Sequence, residues 1–367
     1  MSAAKIARRG SPPATPASGG DDHVGALPDA LLHHILSFLP AQQVVRTCVL
    51  ARRWLDLWKS SSGLRVVGAD GKEPVRFEDV RVFVDNLLLL RGCSPLETLE
   101  LTFSGGSIDM LRVRLWIRHA VLCKVRVLLL KISGAPTWFQ QGEPALVSEH
   151  LTRLVLRGIV FNDDDFLDFS RCPSLQDLNL MICSFENTRR ISSKSLKHLV
   201  IMGASFSSRT RIDAPNLECL QLQVHWGRIP VLEKMPSLVL AIVNVDSSCL
   251  DTCSRANYGD CGDESCRGCI QDGSSSVLLQ GLSETQALVL TATIRMYVIR
   301  RDLKRCPTFR QLKTLVLNEY WCVPDIHPLK CILEHSPVLE ALCLLLFSQV
   351  YNFLNEQLLH CKTIMLI

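Results

Sequence analysis

"LQDLNLMICSF", residues 175–185, carries the pattern that decides the fold. Leu178 and Leu180 lie two apart, so in an extended strand they share one face. Leu175 sits on the turn leading in. Cys183 and Phe185 follow eight and ten positions after that first leucine. The string L-x-x-L-x-L, with conservative swaps, recurs on both sides. Upstream it reads "LETLEL" (96–101), "VRVLLL" (125–130) and "LTRLVL" (151–156). Downstream it reads "LKHLVI" (196–201), "LECLQL" (217–222), "LVLAIV" (238–243), "TQALVL" (285–290), "LKTLVL" (312–317) and "LEALCL" (339–344), with a further copy, "CKTIML", starting at 361. Start-to-start spacings up to 339 are 29, 26, 24, 21, 21, 21, 47, 27 and 27. Most fall within the span of about 20–29 residues of a leucine-rich repeat.

One such strand cannot bury its leucines alone. A stack of parallel strands can, with each repeat's return segment covering the other side. The fold class expected is therefore α/β, a leucine-rich-repeat solenoid with the parallel-strand form of a horseshoe. Pro95, Pro173, Pro215, Pro236 and Pro337 each stand one or two residues before a first leucine. There they end the returning segment and set the entry to the strand. The position eight after the first leucine holds Ile159, Cys183, Ala204 and Tyr320, with His225 as a break. Repeats of this kind carry Asn or Cys there; only Cys183 conforms, so no asparagine ladder is expected. Phe161, Phe185 and Phe206 follow two residues later. Helical periodicity marks "FEDVRVFVDNLLLLRG" (77–92), with Val80, Val84, Leu87 and Leu88 on one face, and "MLRVRLWIRHAVLCK" (110–124), with Val113, Trp116, Ile117 and Ala120. Trp116 reads as core.

The totals bound the function. The 367 residues are 47% hydrophobic and 21% charged, the balance of a folding chain of two or three domains. A net charge of +4 without a clustered basic stripe gives no argument for nucleic acid. The longest apolar run, "LEALCLLLF" (339–347), has the length of a strand and not of a membrane span. "MSAAKIARRGSPPATPASGGDDHVG" lacks the apolar core of a secretory signal and reads as a disordered tail. The sixteen cysteines are then expected as free thiols filling small apolar positions.

Before the repeats stands "LPDALLHHILSFLPAQQVVRTCVLARRWLDLW", residues 27–58. It reads as three short helices. Pro28 suits the first turn of the first helix and Pro40 lies beyond its end. Leu31, Leu32, Ile35, Leu36 and Leu39 form its apolar stripe; Val44, Val45, Cys48 and Val49 form the second; Trp54, Leu57 and Trp58 the third. So small a segment needs a partner to complete its core.

The Leu-Pro-Asp opening, "ILSFLP", R-T-x-x-L and "RRW" ending in "LW" resemble an F-box of the large plant F-box/leucine-rich-repeat family. The resemblance covers 25–62 as F-box and, more loosely, 75–367 as repeats; Ala51 and Leu55 replace residues that relatives more often carry as polar. It implies a tail at 1–24, an F-box at 25–62, a linker and first repeat helix at 63–94, and repeats at 95–367 with a Cys-rich insertion at about 246–276. It further implies a non-catalytic substrate receptor of an SCF-type ubiquitin ligase in the nucleus and/or cytoplasm. The F-box would bind a Skp-type adaptor, and through it a cullin–RING ligase, by Leu27, Pro28, Leu31, Ile35, Leu36, Leu39, Pro40, Val44, Val45 and Leu50, with Trp54 and Trp58 closing the helical core. The plainer reading makes the same residues the core of an autonomous helical cap. No cofactor, nucleic acid or membrane is expected. An interaction scaffold without ligase assembly is the alternative.

Strand residues that alternate with the buried leucines face the concave side of the horseshoe. They are Arg153, Val155 and Arg157; Asp177, Asn179 and Met181; His198, Val200 and Met202; Cys219, Gln221 and Gln223. Their mix of charge, amide and thioether suits a protein target; the bland reading is solvated sheet.

Within the 47-residue gap, "CLDTCSRANYGDCGDESCRGC" gathers Cys249, Cys253, Cys261, Cys266 and Cys269. Four thiolates bind zinc tetrahedrally, but only one C-x-x-C is present where a ribbon has two. The fold expected there is a polar loop without metal; a zinc- or redox-responsive loop is the rival reading. Asn162, Asp163, Asp164 and Asp165 read as a turn and helix cap. His33 and His34 fall on the polar side of the first helix. No H-E-x-x-H, G-x-S-x-G or P-loop string is present. The chain ends on the apolar "CKTIMLI". A solenoid needs a capped end, so a further segment, such as the extra domain family members often carry, or a partner is expected to cover it.

Overall fold

The computed structural model describes residues 27–345, except 51, 69, 72, 107, 135–136, 139–144, 163–164, 246–248, 252–275, 293–296 and 322–325. The ten repeat copies from 96 to 344 each become a strand that begins two residues after the first leucine position. In chain order they are β2 (Thr98–Gly105), β3 (Val127–Gly134), β4 (Arg153–Arg157), β5 (Asp177–Met181), β6 (His198–Phe206), β7 (Cys219–Gly227), β8 (Leu240–Val245), β9 (Ala287–Ala292), β10 (Thr314–Asn318) and β11 (Ala341–Leu345). β1 (Gly63–Val66), in the segment read as linker, makes eleven with them; a two-residue strand, Val75–Arg76, pairs with β2 beside these. All eleven lie in chain order in one parallel, unclosed sheet. The register matches the motif: Leu154 sits beside Leu178, and Leu178 beside Leu199.

The leucine pair of each copy enters a continuous core. Leu99, Leu101, Leu128, Leu130, Leu154, Leu156, Leu178, Leu180, Leu288, Leu290, Leu315 and Leu317 are almost wholly buried. Each such side chain contributes roughly 1.5–3 kcal/mol by leaving water. The pattern fails only at β11, where Leu342 is 42% and Leu344 36% exposed; among the described residues no later strand stacks on it.

Repeat length decides what returns on the outer side. Where copies start 21 residues apart, the return has no room for a helix and runs as short strands. Arg190–Ser192, Arg211–Asp213 and Val231–Leu232 pair in a separate parallel sheet. The longer repeats carry helices: α4 (Phe77–Arg91) and α5 (Met110–Leu122) before the short repeats, α6 (Tyr297–Leu303) and α7 (His327–Glu334) after them. The apolar faces read in α4 and α5, Trp116 included, are the buried ones. Trp116 also donates its indole N–H to Asp85 at 2.8 Å. Among the described residues no helix is long and apolar enough to cross a membrane.

In place of an asparagine ladder, aromatic rings hold the turns together. Phe161, Phe185 and Phe206 stack face to face at 5.3 and 4.5 Å between centroids. The turn after β4 requires glycine: Gly158 has φ +72°, and a Cβ there would meet the Ile132 carbonyl oxygen at 2.1 Å.

The N-terminal segment folds as α1 (Asp29–Phe38), α2 (Ala41–Arg46), a 3-10 turn Thr47–Val49, α3 (Trp54–Leu57) and a second 3-10 turn, Trp58–Ser60. It does not stand apart from the repeats. Leu32, Leu36, Val44, Trp54, Leu57 and Trp58 belong to the same core as Leu64 and Val66 of β1. Pro40 forms a β-bridge with Arg65. At Gly63 an added Cβ would lie 2.8 Å from that of Ser37, so α1 rests directly on the strand backbone.

Candidate functional site

Two surfaces carry the residues singled out by sequence. The first is the face of the helical segment turned away from β1. An amphipathic helix buries one stripe, and α1 buries Leu32 and Leu36 against its own chain. The stripe is wider than that contact, so Leu31 (50%) and Ile35 (46%) stay exposed, as do Val49 (88%) and Leu50 (66%) in the turn after α2. Phe38 and Leu55 are exposed as well. Of the ten adaptor-contact residues expected, Pro28, Leu31, Ile35 and Leu50 are exposed, Leu27, Leu39 and Val45 half-buried, and Leu36, Pro40 and Val44 buried inside the chain. Phe38, Val49 and Leu55 were not among the expected residues, although Phe38 lies one turn beyond Ile35 and two beyond Leu31. Arg53 clamps the start of α1, donating to the Leu27 carbonyl at 2.7 Å and to Asp29 at 2.9 Å.

The second surface is the concave face of the sheet. The register brings the expected residues into rows across the strands. Arg153, Asp177, His198 and Cys219 form one row; Val155, Asn179, Val200 and Gln221 the next; Arg157, Met181 and Met202 a third. Gln223 falls out of that third row. A register shift after Ile201 leaves it paired with Asn244 alone. His198 Nδ1 meets Asp177 Oδ1 at 2.7 Å at the exposed edge. Arg153 and His198 are exposed, Val155 and Gln221 buried, and the others half-buried.

The rows run well past the residues named from sequence, and their chemistry changes along the arc. At the first strands it is ionic. Glu100 of β2 accepts from Arg65 of β1 at 2.9 Å and from Lys131 of β3 at 2.8 Å. Burial alone would raise the Glu100 carboxyl, but the hydrogen bonds and charges of Lys131 and Arg65 outweigh it and hold the pKa below its ordinary value. At the last strands the middle row is apolar: Ile242, Val289, Val316 and Cys343 lie side by side, and with Leu240 and Leu345 they make a separate cluster. The signal for these residues was present. They occupy the same three motif positions, read forward from β8.

Of the cysteine run, Cys249 alone is described; the other four lie outside the described residues. Its thiol is pushed up to about 12, first by burial and then by the Asp251 carboxylate. Asp251 is taken by Arg209, in a buried bidentate pair at 2.7 and 2.8 Å. Asp163 and Asp164 also lie outside; a 3-10 turn follows at Asp165–Leu167. His34 is exposed, and His33 is half-buried with Nε2 3.1 Å from Ser60 Oγ.

Comparison with known proteins bears on both surfaces. The sequence model of the F-box domain matches residues 26–65, and that of the leucine-rich repeats of "FBD-associated F-box protein At5g56370" matches residues 120–242. A rice (Oryza sativa subsp. japonica) protein, "MEIOTIC F-BOX protein MOF", is 29% identical over 356 residues, covering 88% of this chain and 70% of its own. From Arabidopsis thaliana, "F-box/FBD/LRR-repeat protein At5g22660" is 27% identical, with 91% and 78% covered. "F-box/LRR-repeat protein 13" from the same plant is 26% identical, with 89% and 77% covered.

Proposed function

We propose that this chain, a plant-type F-box/leucine-rich-repeat protein, is the substrate-recognition subunit of an SCF-type ubiquitin ligase. The observation that carries the reading is the divided apolar surface of the F-box. One side of α1 is consumed by β1 and the repeat core. The other, with Leu31 and Ile35, faces water, as do Val49 and Leu50 in the turn after α2. Exposed apolar surface of this kind marks an interaction site, and helical stripes dock in apolar grooves. A Skp-type adaptor would cover Pro28, Leu31, Ile35 and Leu50. The concave rows would hold a target protein, with charge at one end and apolar anchors at the other. The chain then contributes proximity and orientation, which raise a transfer rate without chemistry of its own.

The test is co-purification of the full chain with a Skp-type adaptor, beside a Leu31→Asp/Ile35→Asp variant. Both positions are exposed, so the variant keeps its fold. Binding by the native chain and its loss in the variant support the reading. A folded native chain that does not bind removes it, leaving the F-box as a structural cap.

A further inference from the structure

The outer side of the last two described repeats brings together three soft ligands that the sequence scatters. Cys306 lies three residues beyond α6; Cys331 is in α7; His335 is the residue that ends α7. One ligand atom from each lies within 4.8 Å of the other two. Cys331 and His335 are four apart, so a helical turn sets them on one face. Cys306 comes from the preceding repeat, placed there because α6 packs on α7.

We propose that Cys306, Cys331 and His335 form a zinc site that clamps these two repeats together. Zinc takes sulfur at about 2.3 Å and nitrogen at about 2.0 Å, so tetrahedral ligands stand roughly 3.5–3.8 Å apart. The ligand atoms stand within 4.8 Å of one another, so side-chain rotations that bring them together by up to about 1 Å close the triangle to that size. The imidazole's tautomer is set by its backbone contact. Its Nδ1 donates to the Cys331 carbonyl at 2.8 Å, which fixes the proton on Nδ1 and leaves the Nε2 lone pair for a metal. The main chain at His335 is held as well: its N–H donates to the Cys331 carbonyl and its carbonyl accepts from Phe309. Two thiolates and a neutral imidazole balance a divalent charge, which suits a half-buried place beside the core. Thiolate donors select zinc over magnesium or calcium. The fourth position is left for water. This site is separate from the 249–269 cysteines and independent of whether the chain joins a ligase.

The full-length chain, purified under reducing conditions, is assayed for zinc by elemental analysis and reloaded with cobalt(II) as a spectroscopic probe. Three variants run beside it: Cys331→Ser, His335→Gln and Cys266→Ser/Cys269→Ser. The proposal expects about one zinc per chain to survive the loop variant. It expects that zinc to fall at least ~10-fold in each of the other two, with loss of thiolate-to-cobalt charge transfer in Cys331→Ser. His335→Gln guards against misfolding, since it keeps both thiols and a polar side chain of similar size. Zinc that follows the loop variant instead, or a native chain that holds none after reloading, overturns the proposal. So does a Cys306–Cys331 disulfide formed as readily with zinc present as without it.

Discussion

Arg65 and Glu100 face each other across β1 and β2 at 2.9 Å, and the same guanidinium donates to the Phe38 carbonyl at the end of α1 at 2.6 Å. A third bond runs to the Gly71 carbonyl at 3.0 Å. One side chain thus ties the last turn of the F-box helix to the concave face of the repeats. With Pro40 bridged to Arg65, the F-box is fixed on the arc and not strung on a linker. That rigidity sets the orientation of the exposed F-box face relative to the concave rows.

Replacing Arg65 by methionine keeps the stem and removes the donors. Hydrogen bonds to a charged group contribute about 1.5–3 kcal/mol, and Glu100 keeps only Lys131. The expected loss is about 2–4 kcal/mol, read as a lower denaturant midpoint. Amides of α1 should also exchange faster than those of β5. A midpoint unmoved by the substitution, with α1 exchange unchanged, would show that apolar packing alone holds the F-box in place.

The same pair predicts a pH dependence. The folded Glu100 pKa is depressed, so the folded state binds its proton more weakly than the unfolded one. Its stabilisation is complete above the ordinary carboxylate range and is lost as pH falls through the folded value. Glu100→Gln should flatten that acid limb while lowering stability at neutral pH. Unfolding midpoints measured from neutral pH down to pH 3 compare the two slopes; parallel curves for native and variant chains would exclude Glu100 as the source.

The phenylalanine stack makes a sharper test. Phe185 lies between Phe161 and Phe206, wholly buried, and contacts both rings. Phe185→Ala leaves a cavity shared by three repeats and should cost about 3–5 kcal/mol. Phe185→Leu should cost much less, since it refills most of the volume. Thermal unfolding of the two variants separates them. Similar losses for both would mean that ring stacking, and not volume, is what matters there.

Sequence reading found the strands because their code is local. Leu178 and Leu180 share a face whatever the rest of the chain does, and all ten copies obey that parity. It found the buried faces of α4 and α5 for the same reason. It left β1 inside a linker because "GLRV" has no leading L-x-x; the strand forms because Leu64 and Val66 are covered by α1. It divided the F-box stripe incompletely, because which leucines are consumed by β1 and which remain in water depends on how the segment is docked. Cys306, Cys331 and His335 escaped it for a related reason: a C-x3-H is common, and the third ligand arrives from the preceding repeat.

Asp302 shows the same limit and gives the last test. It lies in α6, fully buried, and nothing in its local pattern announces its partners, which stand 23 to 26 residues earlier. Its carboxylate accepts from the backbone amides of Val277, Leu278 and Leu279 at 2.7–3.1 Å and from the Ser276 hydroxyl at 2.9 Å. Those amides begin the turn by which the chain re-enters the core after the Cys-rich insertion. One acidic side chain therefore satisfies the donors that the turn exposes, as a capping residue does at a helix start. Asp302→Ala strands three buried amides at about 1–3 kcal/mol each, and should unfold the last repeats well before the first. Asp302→Asn keeps one acceptor oxygen and should lose about half as much. Hydrogen exchange resolved along the chain is the measurement. Early exchange confined to 276–345 in the alanine variant is the expected result, and uniform loss over β2 to β7 as well would mean that the arc unfolds as one unit and that Asp302 stabilises all of it.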